Sequence, residues 1–144
     1  MIAVDKCIKK AGLIQRARTY RLELHPEGLY VLCLGNATGE FRKFRSYTLE
    51  KYMAEKALSY FSQKYDQEHE AALNELKLVG LPAFANRKHT YFLPLQSLNS
   101  ALSLNKQKGF MQIQDPLCKL KLYPKTMEDY HQLEKLMSEL NSSS

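Results

Sequence analysis

The side chains best suited to chemistry in this chain are its clustered cations. Arg42-Lys43-Phe44-Arg45 and Arg87-Lys88-His89 are short basic runs, and Arg16, Arg18 and Arg21 crowd the start of an alternating segment. On an extended chain Arg16 and Arg18 point the same way. Guanidinium forks and ammonium groups grouped like this hold phosphates or carboxylates. Arg16, Arg18, Arg42, Lys43, Arg45, Arg87 and Lys88 are therefore the candidate anion- or partner-binding residues. The plain alternative is a solvated basic surface with no partner.

Other reactive groups do not assemble into a recognisable set. The sequence has no Gly-rich phosphate loop followed by Lys-Ser or Lys-Thr, no G-x-S-x-G, no H-E-x-x-H and no C-x-x-C. Cys7, Cys33 and Cys118 have no paired spacing, and Cys33 and Cys118 stand in strand phase among apolar neighbours, which reads as buried free thiols. His25, His69, His89 and His131 are scattered. His69 lies between Glu68 and Glu70, but adjacent helix positions do not face one another. His131 reads as a surface residue. No catalytic residue, metal ligand set or cofactor is assigned on this basis. Tyr20, Tyr60, Tyr65, Tyr91 and Tyr130 fall in phase with apolar residues and read as core.

The elements that must carry these groups are legible in patches. Thr19 to Leu24 alternates, His25-Pro26-Glu27-Gly28 is a hairpin turn, and Leu29 to Leu34 is apolar on both faces, as a central strand is. Glu40 to Phe44 is a further candidate strand. Thr90 to Leu95, Ala101 to Asn105, Phe110 to Asp115 and Cys118 to Tyr123 follow across short turns. Pro94 puts the first of these at a sheet edge. In the last, Cys118, Leu120 and Leu122 alternate with Lys119, Lys121 and Tyr123. Residues 2–14 fit either a short helix ending near Gly12 or an irregular arm.

Two helices are expected. Leu49, Met53, Ala57, Tyr60, Phe61, Tyr65, Ala72, Leu73 and Leu76 keep helical spacing over 48–77, with a weak middle at Asp66 to Glu70 that predicts a kink or break. The last helix is capped by Thr126 with Asp129 three residues on, and carries the stripe Met127, Tyr130, Leu133, Leu136, Met137, Leu140. Leu81 and Phe84 in the connection between helix and strand read as plugs for a core edge. The layout is one domain over 1–144: strands in 1–46, a helical segment in 47–78, strands in 89–123 and a C-terminal helix in 126–140.

Composition fits a globular domain, with 44% hydrophobic and 25% charged residues. No apolar run approaches a membrane span, and the first residues lack the apolar core of a signal peptide. With the unpaired cysteines, this predicts a cytoplasmic protein. The net charge of +6 is uneven: the strand-bearing parts sum to +10 and the two helical parts to −4. Were the helices to share one side of the sheet, a basic and an acidic face would result, and a basic face favours anionic partners.

The run Tyr91 to Leu140 resembles the pleckstrin-homology-like superfold in its small bacterial form. The matching features are the phrase Leu93-Pro94-Leu95-Gln96-Ser97-Leu98, the Lys108-Gly109 hairpin, the Leu120/Leu122 strand and the Tyr130/Leu133/Leu136/Met137 stripe. The resemblance implies α+β architecture: an antiparallel system of six or seven strands forming a split barrel closed by the C-terminal helix. The helical segment 48–77 then becomes an insertion between the third and fourth strands. It also implies a binding or scaffold module and names no ligand residues. The function expected is thus a non-enzymatic module with a basic surface, its partner a protein or an anionic lipid. A nucleic-acid-associated protein is the alternative, and a small enzyme the third reading. The apolar patch of Ala71, Ala72, Leu73 and Leu76 beside acidic residues predicts a weak homodimer, unless the patch folds onto its own core.

Overall fold

The computed structural model describes residues 1–10, 17–36 and 48–143, with backbone alone for 48–63 and 142–143. It is an α+β structure with seven antiparallel strands in one sheet, ordered β4-β3-β2-β1-β7-β6-β5, and four helices among the described residues. The strands are β1 (Ile2–Lys9), β2 (Arg18–His25), β3 (Gly28–Asn36), β4 (Tyr91–Pro94), β5 (Leu102–Asn105), β6 (Phe110–Asp115) and β7 (Cys118–Pro124). The helices are α1 (Thr48–Val79), α2 (Leu81–Phe84), α3 (Leu95–Ala101) and α4 (Met127–Ser143). No described helix is long and apolar enough to cross a membrane.

Of the segment 2–14, residues 2–9 depart from both readings, and residues 11–14 lie outside the described residues. Ile2–Lys9 is a strand in the middle of the sheet, paired to β2 along its length and to β7 through Cys7–Pro124 and Ile8–Tyr123. Its register shifts between Val4 and Cys7. That one-residue bulge breaks the alternation a strand shows in sequence, and bends β1 so that it joins both halves of the sheet. The candidate strand Glu40–Phe44 lies outside the described residues.

One core lies between the sheet halves and α4. Val4, Leu22, Leu29 and Val31 meet Met111, Ile113, Leu120 and Leu122, with Leu133, Leu136 and Leu140 from the helix. The cap expected at Thr126 is present: its Oγ1 accepts from the Asp129 N–H at 3.1 Å and donates to the Asp129 carboxylate at 2.8 Å. Met127 does not join the stripe and is 68% exposed. Leu95 likewise is not a strand residue: β4 ends at Pro94, and Leu95 opens the short helix α3, whose Leu98 and Ala101 are buried.

A second, smaller core covers the other face of β3. Leu32 and Leu34 pack against Ala72 and Phe84, flanked by Leu73, Leu76 and Leu81. Both faces of β3 are covered, as its two-sided apolar sequence demands. Phe84 and Leu81 do plug this edge. Leu73 and Leu76 are consumed inside the chain and do not form an exposed patch. α1 packs on the β3 face that carries this smaller core, and α4 belongs to the main core, so the two helices do not share one side of the sheet, the arrangement on which a basic and an acidic face depended. Nor does α1 break at Asp66. It runs unbroken through 32 residues, roughly 48 Å at 1.5 Å per residue.

The polar middle of α1 is where it is pinned. Asp66 faces Lys6 at 3.6 Å and Lys125 at 3.9 Å. His69 is buried, with Nε2 at 2.7 Å from the Asn36 carbonyl oxygen. A polar stretch that reads as a weak point in sequence is thus a docking segment.

Candidate functional site

The end of β3 positions a cation-lined cleft. Arg18 pairs with Asn36, Thr19 with Gly35 and Tyr20 with Cys33, so the register slips at Leu34. Leu34 packs into the small core on the same face as Leu32, and Cys33, Leu34 and Gly35 line a cleft of about 390 Å³. Gly35 has φ +131°, a backbone conformation that favours glycine, and the Glu68 side chain of α1 lies directly against it. Thr90 Oγ1 accepts from the Cys33 N–H at 3.2 Å, tying the segment before β4 to the same cleft.

The walls have opposite character. Arg18 from β2 and Lys88 and His89 from the segment after α2 form one side, while Glu68 and Glu75 from α1 line the other. Arg87 also lines the cleft but donates to Glu75 at 2.9 Å and lies over the Phe84 ring at 4.6 Å. His89 has φ +66°, a left-handed conformation costly for a residue with a side chain. Arg18 is half-buried, and no acidic partner meets it among the described residues.

The electrostatics record this crowding of cations. Burial, then Arg18, Lys88 and Lys9, hold the His89 imidazole below the ordinary histidine range. Burial, then Arg18, do the same to the Lys9 ammonium. Burial pushes the Cys33 thiol up, outweighing the Gly35 N–H and the two nearby arginines. Cys33 therefore stays protonated near neutrality and is no activated nucleophile. Cys7 and Cys118 are buried, with Cys118 raised to about 12 first by burial and then by Asp115. Among the described residues no group of three or more His, Cys, Asp or Glu side chains is placed to hold a metal.

Of the seven residues singled out by sequence, Arg18, Arg87 and Lys88 come together in this cleft. Arg16, Arg42, Lys43 and Arg45 lie outside the described residues. Sequence reasoning missed Glu68 and Glu75 as the facing wall. It also missed His69, whose burial beneath Asn36 has no local signal, because its partner is remote in the chain. His131 is exposed, as its position off the α4 stripe indicates.

A second ionic group crosses the opposite end of β1 and β2. Arg21 contacts Asp5 and donates to Glu23 at 2.8 Å, and Glu23 meets His25 Nε2 at 3.0 Å. Burial works against the Glu23 carboxylate, but the hydrogen bonds from Arg21 and His25 outweigh it and hold its pKa below the usual range. These charges satisfy one another and offer no open position to a ligand. Against known proteins, the chain matches no family model, no curated protein and no solved structure.

Proposed function

We propose that this protein is a non-enzymatic binding module that holds an anionic group of a partner in the cleft between β2, α1 and the Arg87–His89 segment. The observation that carries the reading is Arg18: a half-buried guanidinium beside Lys88 and His89, with no carboxylate paired to it among the described residues. Arg18, Lys88 and His89 repel one another, and an incoming carboxylate or phosphate relieves that cost. The acidic wall of Glu68 and Glu75 disfavours a broad anionic surface. A protein partner presenting one acidic side chain fits this arrangement better than an anionic bilayer.

The fold reading belongs to the same proposal. The order β4-β3-β2-β1-β7-β6-β5, with one helix at the C-terminus, supports a pleckstrin-homology-like split barrel. In that reading α1 and α2 are an insertion between β3 and β4.

Titration calorimetry with an acidic peptide, and sedimentation with phosphatidylserine vesicles, tests the function. Arg18→Gln should weaken peptide binding about tenfold, the scale of one charge-assisted hydrogen bond. Equal binding by the variant removes the cleft from the argument. Binding to the vesicles alone makes the partner a lipid.

A further inference from the structure

The outer face of the β5–β6–β7 half carries an ordered array that the cleft does not use. Met111, Ile113, Leu120 and Leu122 point into the core. Their neighbours alternate to the other face: Gln112 and Gln114 on β6 beside Lys121 and Lys119 on β7, with Ser103 of β5 opposite Gln112, and at one end the half-buried Tyr123 beside the buried Phe110. Ser103, Gln114, Lys119 and Lys121 are exposed. The rows repeat every two residues, roughly 7 Å.

Aromatic rings close one end of the array. Phe110 and Tyr123 lie side by side, centroids 5.3 Å apart. Each has an ammonium over it: Lys10 at 4.2 Å from the Tyr123 ring centre and Lys121 at 5.4 Å from that of Phe110. One acid, Asp115, borders the array beside Gln114 and Lys119. Asp115 is the sole acid between residues 102 and 124, and its carboxylate is turned to the Leu117 N–H at 3.0 Å.

We propose that this face is a platform for single-stranded nucleic acid, with Tyr123, seated against the buried Phe110, stacking a base, Lys10, Lys119 and Lys121 meeting the phosphates, and Gln112 and Gln114 facing base edges. Base stacking outweighs an exposed cation–π contact, so Lys10, now over the Tyr123 ring, swings to a phosphate as a base takes its place. The strand pitch lets successive phosphates meet successive rows. Amides and rings favour this occupant over an acidic protein, which has no use for a stacking surface. A bilayer would draw on the exposed Leu117 at the hairpin tip instead.

Fluorescence anisotropy of a labelled oligothymidine with the full chain tests the proposal. Binding at low salt is expected, weakening as salt rises. Lys119→Gln with Lys121→Gln should lower affinity about tenfold and flatten the log–log salt slope by about 1.4, at about 0.7 per phosphate contact. Both lysines are exposed, so the fold is retained. Tyr123→Ser should weaken binding while leaving the slope unchanged, since it removes stacking alone. Arg18→Gln should have no effect. No binding at low salt overturns the proposal, as does a Lys119/Lys121 variant that binds like the parent. It is equally overturned by loss of binding in Arg18→Gln, or by capture on phosphatidylserine vesicles without capture of the oligonucleotide.

Discussion

Acidifying the protein from pH about 7.5 to about 5.5 should loosen α1 through one imidazole, His69. A carbonyl can only accept, so the proton of neutral His69 sits on Nε2, which donates to Asn36. Nδ1 is then a bare acceptor, buried with no hydrogen-bond partner among the described residues. Protonating it would place a charged donor there with nothing to receive it. Burial lowers the His69 pKa, and Lys6 lowers it further; the Asn36 carbonyl, Asp66 and Glu68 pull the other way without winning. The folded state therefore resists a proton that the unfolded state takes up below its ordinary value of 6.5. Stability is full above that value. It falls by about 1.4 kcal/mol per pH unit below it, until the folded value is reached. At pH about 5.5 the loss approaches 1.4 kcal/mol if the folded group is still neutral. His89 adds a smaller loss of the same sign because it is less buried. Glu23 acts in a lower window, since its unfolded carboxyl titrates near 4.5. Urea unfolding across this range, compared with His69→Gln, isolates the effect. Glutamine keeps an N–H donor and cannot titrate, so the variant should start about 1 kcal/mol weaker and then hold level as the parent falls. Parallel decline of parent and variant would refute the reasoning.

The other predictions concern the core and the cap. Leu122→Ala empties a fully buried site between the sheet and α4 and should cost about 2–5 kcal/mol in urea unfolding. Thr126→Ala removes both halves of the reciprocal contact with Asp129 and should cost about 1 kcal/mol, with circular dichroism showing α4 fraying from its first turn.

What the sequence determined by itself was local. Alternation of period two located β2, β5, β6 and β7, most cleanly β7, where buried Cys118, Leu120 and Leu122 alternate with exposed Lys119 and Lys121. The two-sided apolar run of β3 required cover on both faces, and the Thr126–Asp129 spacing marked the start of α4. Lys119 and Lys121 were readable as the exposed side of β7, although nothing local joined them to Phe110 or Gln112. Only the tertiary structure decided the rest. The bulge in β1 destroys the alternation that would have marked it as a strand, and long-range pairing with β2 and β7 supplies what its own pattern lacks. Asp66 and His69 read as a weak helical stretch because their partners Lys6, Lys125 and Asn36 are distant in the chain. The cleft has the same origin: Arg18 and Lys88 meet across the β2–β3 slip and the closing segment of β4, a juxtaposition set by strand pairing and not by any spacing along the chain.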